Sequence, residues 1–282
     1  MAPALDESDL SDRSREQLRA LFDTASAHLV NTGDRPNATA ISEEFAPRWK
    51  CQQLLDDAIE AFRGGRVEQT LALAEDPELR ELFGRNRSLY ANFLGELLRG
   101  HQALVQTYVL KTLEADPDLS RQRYGGKTLL HTAAAAGRAH FVKLLLSQFA
   151  DPNAPDQGSH TPLYSLANEC HAGGGAVAEM LIEHGAIVDA CEGVKRCTPL
   201  HMAARRGNVE VGTVLVACGA NIEARDSNGD TPLRRSVNCG KTEFASLLLV
   251  AGADPHSVGS RGLTPLLAAR TESMRRLFSV IC

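Results

Sequence analysis

The chain has 282 residues, 43% of them hydrophobic, with 30 Lys and Arg against 35 Asp and Glu and a formal net charge of -5. That apolar fraction supports one large core or two of ordinary size and excludes global disorder, while the acidic balance excludes a general attraction to nucleic acid or to an anionic membrane unless a local basic patch provides it. Seven cysteines, an odd number without a dense and evenly spaced framework, read as reduced thiols rather than a disulfide scaffold.

In chain order, residues 1–12 are polar and acidic and are expected to be disordered; they lack the positively charged start and apolar run of a secretory signal. No apolar stretch reaches the roughly 18 residues of a membrane span, the best candidate being the short run from Leu247 to Val250. The expected location is therefore intracellular and cytoplasmic. The spacing of Leu18, Leu21, Phe22 and Ala25 predicts one amphipathic helix over Arg13 to Val30, and Asn31 to Thr39, with Gly33 and Pro36, reads as a linker. Residues 1–45 are thus expected to be a flexible segment with one helix.

Residues 46–122 form a helical extension. Trp49 to Phe62, the turn Gly64-Gly65 and Val67 to Leu73 give a helix, turn, helix outline ending in Asp76-Pro77. Leu89 to Leu98, Gly100 and Ala103 to Leu113 repeat that outline and end in Asp116-Pro117. The region is either two divergent repeats or a helical cap over the units that follow.

From 123 to 282 the chain repeats itself. Thr128-Leu129-Leu130-His131, Thr161-Pro162-Leu163-Tyr164, Thr198-Pro199-Leu200-His201, Thr231-Pro232-Leu233-Arg234 and Thr264-Pro265-Leu266-Leu267 place their threonines 33, 37, 33 and 33 residues apart. Threonine caps a helix that proline can open at its first position. Leu200, Ala203 and Ala204, like Leu130, Ala133 and Ala134, then fall on one buried face. Gly137, Gly207 and Gly240 stand where these helices must end. The second helices carry Phe141, Leu144 and Leu145, then Val214 and Leu215, then Leu247 and Leu248, a stripe that one repeat cannot bury alone.

These blocks resemble the ankyrin repeat over a little more than half the chain. The resemblance implies an all-α ankyrin-type helical repeat solenoid with short hairpin fingers, here five repeats preceded by the helical extension. Two departures stand out. The 37-residue interval holds three extra residues around His171 to Gly175 and one in the finger Cys191 to Cys197, either functional insertions or tolerated loop length. The last repeat, with Arg270 where others have small apolar residues, reads as a C-terminal cap.

The resemblance also implies a non-catalytic interaction scaffold or adaptor that binds a protein partner through its fingertips and the exposed face of its first helices. The residues just before each threonine are Lys127, His160, Cys197, Asp230 and Leu263. The helix faces are Thr132, Ala135 and Ala136; Ser165, Asn168 and Glu169; Met202, Arg205 and Arg206; and Arg235, Asn238 and Cys239. Positive charge concentrates at Lys195, Arg196, Arg205, Arg206, Arg234 and Arg235, which suits an acidic or phosphate-bearing partner. The plainer alternative is a solvated surface with Glu169, Asp230 and Glu210 as counterions. Nucleic acid is disfavoured by the acidic total and by the lack of aromatic residues near the patch.

No metal, cofactor or catalytic residue is expected. Cys170, His171, Cys191 and Cys197 lack paired zinc-knuckle spacing, and a first helix holds the pairs roughly 15 Å apart. A redox bridge between Cys191 and Cys197 is a further alternative. The resemblance assigns His131 and His201 to structural bonds that tie repeats together. His160 and Cys197 could be drawn as base and nucleophile, but nothing in the sequence orients them, and no glycine-rich phosphate loop, H-E-x-x-H or G-x-S-x-G is present. The alternative to a scaffold, an enzyme or small-ligand binder, requires a pocket between the extension and the repeats near Tyr124.

Overall fold

Every Thr-Pro step opens a helix. A computed structural model of the chain describes residues 50–170, 174–191, 193–259 and 262–281; the helix expected over 13–30 and the linker over 31–39 lie outside them, as do residues 171–173. The hydroxyls of Thr161, Thr198, Thr231 and Thr264 accept the N–H groups of Tyr164, His201, Arg234 and Leu267, each with proline at the first helical position.

The extension comprises α1 (50–63), α2 (Val67–Ala74), α3 (Pro77–Arg85), α4 (Arg87–Leu98) and α5 (Ala103–Ala115), followed by a 3-10 turn, Pro117–Arg121. The strands β1 (Arg123–Tyr124) and β2 (Lys127–Thr128) pair antiparallel as the first finger. Five helix pairs follow: α6 (Leu129–Ala135) with α7 (Ala139–Ser147), α8 (Pro162–Glu169) with α9 (Gly174–Glu183), α10 (Pro199–Arg206) with α11 (Val209–Ala217), α12 (Pro232–Asn238) with α13 (Thr242–Val250), and α14 (Pro265–Ala268) with α15 (Glu272–Ile281). First helices pack on first helices along one layer, in the order α4, α6, α8, α10, α12, α14, and the second helices α7 to α15 form the other layer.

The core is one contiguous cluster from Leu55 to Phe278. Leu130, Ala133, Ala134, Leu200, Ala203 and Ala204 are fully buried, and on the second helices Phe141, Leu145, Leu215 and Leu248 are buried too. Each buried leucine contributes about 1.5–3 kcal/mol, and because its contacts come from the neighbouring pair, no repeat is stable apart from the stack. Gly207 ends α10 in the left-handed region at φ 76°, which other residues resist. Among the described residues no helix is long and apolar enough to cross a membrane.

Three expectations change. Asp76-Pro77 does not close a repeat outline; it opens α3, with the Asp76 carboxylate accepting the Glu78 N–H at 2.9 Å and with Leu79 and Phe83 buried at i and i+4. Asp116-Pro117 likewise opens the 3-10 turn that buries Leu119. Gly174 and Gly175 belong to α9 rather than to the turn before it, and the reason is packing. A Cβ on Gly174 would come within 2.6 Å of Val211 Cγ2, so the bare backbone is what lets α9 lie against α11. In the last repeat the first helix is only four residues long and exposes Leu266 and Leu267, the counterparts of the buried Leu200 and His201.

Two rows of side chains lock successive repeats. The first uses the fourth residue of the first, third and fourth repeat blocks. His131 Nδ1 accepts the N–H of Thr128 at 3.1 Å while its Nε2–H donates to the carbonyl of His160, 29 residues on, at 3.0 Å. His201 repeats this with Thr198 at 3.2 Å and Asp230 at 3.0 Å. Both bonds require the neutral Nε2–H tautomer, because a proton on Nδ1 would face the Thr N–H donor. Burial accordingly lowers both histidine pKa values. The second row caps first-helix carboxyl ends: Asn208 Nδ2 donates to the Cys170 carbonyl at 2.9 Å, and Arg138 donates to the carbonyls of Leu98, Arg99 and Gly100 at 3.3, 3.1 and 2.7 Å. Arg138 thereby treats α4 as a preceding first helix.

Candidate partner-binding groove

The fingers and first helices set the geometry of the concave face. Two residues before each threonine the backbone turns through the left-handed region, with Gly126 at φ 75°, Ser159 at 61°, Arg196 at 48°, Gly229 at 76° and Gly262 at 67°. Glycine takes this conformation freely; Ser159 and Arg196 hold it at a local cost on the order of 1 kcal/mol. Their repeats border two adjoining hollows.

One hollow, of about 270 Å³, is walled by His160 and Tyr164 from the second repeat, the third-finger residues Gly193 to Lys195, and Arg205 and Met202 from α10. The adjoining hollow, of about 350 Å³, shares His160, Tyr164, Met202 and Arg205 with it and extends past Asn168 and Arg206 to Lys127 and Glu169. Together they form one open groove across repeats one to three. Met202 floors it and is buried, whereas Val194 stands at its rim 97% exposed. The His160 ring stacks on Tyr164 with centroids 4.4 Å apart.

Asp156 fixes His160. Its carboxylate accepts the N–H groups of Gly158 and His160 at 2.7 and 2.8 Å and lies 3.1 Å from His160 Nδ1. Burial alone would raise the Asp156 pKa, but these bonds and the imidazole charge hold it below the usual carboxylate value. Asp156 is the orienting group for His160 that was not legible in the sequence. Cys197 shares the hollow but is a poor nucleophile, since burial pushes its thiol pKa up despite the nearby Arg235 guanidinium.

The six cations read as one patch divide into two sets. Lys195, Arg196, Arg205 and Arg206 are exposed; Arg206 Nε donates to Asn168 Oδ1 at 3.1 Å, and Arg196 does not line either hollow. Arg234 is buried and takes the tie position of the fourth repeat, donating to the carbonyls of Leu263 and, at 2.9 Å, Thr264. It therefore offers no charge to an incoming partner. Arg235 is half-buried and forms a two-pronged ion pair with Asp226, whose side chain is fully buried; Nε contributes one bond at 2.7 Å. Burial alone would lower the Arg235 pKa, but Asp226 raises it.

The fingertip row divides as well. Lys127 reaches Glu169 at 3.8 Å on the groove. Cys197 and Asp230 are buried, and Asp230 serves its own finger by donating its N–H to Asp226 Oδ1 at 3.1 Å. Asp156 and Asp226, both missed in the sequence, stand five residues before Thr161 and Thr231. Aligning the fingers rather than the helices would have found them.

Tyr124 fills the junction where a pocket would have to lie for a small-ligand or catalytic role. Its hydroxyl bonds the Thr132 hydroxyl, a Cβ on Gly95 would run into its ring, and burial raises its pKa. Cys191 and Cys197 are separate thiols, one exposed and one buried. Among the described residues no group of three or more His, Cys, Asp or Glu is arranged to hold a metal; His171 lies outside them.

A family model for ankyrin repeats in three copies matches residues 96–192 and 172–259. Cyclin-dependent kinase inhibitor 2A of Homo sapiens is 37% identical over 100 residues, which are 36% of this chain and 62% of that protein. Cyclin-dependent kinase 4 inhibitor B of Rattus norvegicus is 34% identical over 105 residues, 37% of this chain and 78% of its own length. Ankyrin repeat and SOCS box protein 18 of Homo sapiens is 38% identical over 132 residues, 47% of this chain but 27% of that protein. The chain thus spans just under two thirds of the first of these relatives, more of the second and about a quarter of the third.

Proposed function

The chain belongs to the ankyrin-repeat family, and from that premise we propose that it is a non-catalytic interaction scaffold that captures a protein partner in the concave groove of its second and third repeats. The observation that carries this reading is the set of exposed cations, Lys195, Arg205 and Arg206, gathered on one groove of an otherwise acidic chain. Net charge of the whole molecule repels an acidic partner, whereas this face attracts one. Attraction of that kind sets association rate and salt dependence more than packing does.

The relatives named as kinase inhibitors support a protein rather than a small molecule as ligand, as does the filling of the junction by Tyr124. Of the residues first singled out, Lys127, His160, Lys195, Arg205 and Arg206 remain contact residues, with Arg196 at the neighbouring fingertip. Cys197, Asp230, Arg234 and Arg235 support them from beneath. We also read residues 46–122 as a cap whose α4 and α5 are a divergent repeat, supported by the family match beginning at residue 96 and by the Arg138 cap, and residues 123–282 as the five regular repeats.

The test is partner capture from cell extract, with identification by mass spectrometry, using the full chain and an Arg205→Glu, Arg206→Glu variant at two salt concentrations. Loss of the captured protein in the variant, and weakening of wild-type capture by salt, are the expected results. Equal capture by both proteins with no salt dependence removes the reading.

A further inference from the structure

The groove narrows the class of partner. Three side chains able to carry positive charge meet at the smaller hollow from three different elements: His160 from the second finger, Lys195 from the third and Arg205 from α10. Among the described residues the Lys195 and Arg205 side chains have no hydrogen-bond or ion-pair partner. Arg235, on the same wall, is already neutralised by Asp226. The Asp156 carboxylate is turned inward, 9% exposed, and holds His160 by Nδ1. That leaves Nε2 to the hollow, where a Cβ on Gly193 would lie 3.3 Å from it.

A carboxylate carries one charge and two oxygens, which a single guanidinium fork satisfies. Three converging donors suit a tetrahedral group with three free oxygens and nearly two charges, which is a phosphate monoester. The Met202 floor and the Tyr164 ring provide apolar contact beside it. Continuity with the larger hollow, toward Lys127, gives an extended backbone a course across neighbouring repeats. First helices pack about 8–10 Å apart, so three repeats accommodate about six to eight extended residues at about 3.3 Å each.

We propose that this groove recognises a phosphorylated side chain within an extended segment of the partner protein, with Lys195 and Arg205 holding the phosphate and protonated His160 donating Nε2–H to it. The proposal rests on the groove reading above. It also couples binding to protons. With Nδ1–H committed to Asp156, a neutral His160 presents a lone pair to the phosphate and a protonated one presents a donor. The other charged or titratable groups that line the two hollows with His160 are Asp156 on its own finger, Tyr164 and Glu169 on α8, Lys127 on the first finger, Lys195 and Cys197 on the third, His201, Arg205 and Arg206 on α10 and Arg235 on α12. Lys127, Lys195, Arg205, Arg206 and Arg235 are the cations among them, and Glu169 stands 3.8 Å from Lys127. Binding should weaken below about pH 6, as the phosphate takes up its second proton.

The experiment uses the full chain and three fluorescein-labelled pools of degenerate octapeptides, with phosphoserine, serine or aspartate fixed at the centre, read by fluorescence anisotropy. The phosphoserine pool should bind at least about tenfold more tightly than the other two, the gain a charge-assisted set of bonds provides. Arg205→Glu should erase that preference. His160→Gln should keep it by a smaller margin, and circular dichroism on each variant establishes that the stack is folded. Equal binding of the phosphoserine and aspartate pools overturns the proposal. If partner capture is nonetheless lost in the double arginine variant, the phosphate assignment alone falls; if capture is also unchanged, the groove reading falls with it.

Discussion

The third and fourth repeats each carry two adjacent arginines on the first helix, and the pairs have opposite fates. Arg205 and Arg206 end α10 on the groove side, where no backbone group needs them. Arg234 and Arg235, on α12, are taken up by the fold, one by the carbonyls of the next finger and one by Asp226. The difference teaches that charge on a repeat surface is left for a partner only where the scaffold offers it no carbonyl row or buried carboxylate. Counting cations along the sequence overstates the patch, because two of the six are structural.

The comparison predicts a graded series of effects. Arg235→Leu should be the most damaging, since it leaves the fully buried Asp226 carboxylate without its counterion; a loss of about 3 kcal/mol in urea unfolding is expected. A loss below about 0.5 kcal/mol, typical of an exposed site, would break the division between the two pairs. His201→Ala removes the tie to Asp230 and the return bond to Thr198 together, at about 2 kcal/mol by the same measurement.

The imidazole row has a pH signature. Burial is the main cause lowering the pKa of His131 and His201, and the folded state holds both neutral. Their contribution is therefore complete above the unfolded histidine value of about 6.5 and declines as pH falls from there toward the lowered folded values. A melting temperature that drops across this range in the native chain, and drops less in a His131→Gln, His201→Gln variant, is the expected result. Identical slopes would show that the tautomer argument is wrong.

Arg234→His tests the fourth repeat in the favourable direction. The arginine brings a buried charge whose Nε has no partner among the described residues, while an imidazole at the same 29-residue offset would repeat the bond made by His201. A gain of about 1 kcal/mol is expected. The Arg205→Glu, Arg206→Glu variant proposed for capture should, by contrast, unfold within about 0.5 kcal/mol of the native chain. Binding without stability in one pair and stability without binding in the other is the sharpest form of the distinction.

What the sequence reveals here follows the range of the interactions. Thr-Pro caps, the Gly207 stop and the alanine-lined first helices are local chemistry, and they are legible because the partner atoms lie within one or two turns. Asp76-Pro77 was ambiguous for the same reason: an acidic cap and proline mark a start, but after a helical run they also mark a stop. Only the burial of Leu79 and Phe83 decides between them. The groove was half legible. Lys195, Arg205 and Arg206 could be placed from periodicity, whereas the burial of Arg234 depends on carbonyls 29 and 30 residues away. Likewise, the role of Asp226 emerges only when the finger folds back over α12.

The ties made by His131, His201 and Arg234 all point the same way, from a first helix to the finger that follows. In mechanical terms they are one-way latches in series. Tension that peels the stack from its carboxyl side opens them one at a time, so the force record should be a staircase of small steps. Tension applied across the layer loads all of them at once and should end in a single, larger rupture. The molecule should thus be stiff in one direction and unzip in the other, an anisotropy set by two imidazoles and one guanidinium that all reach toward the next finger.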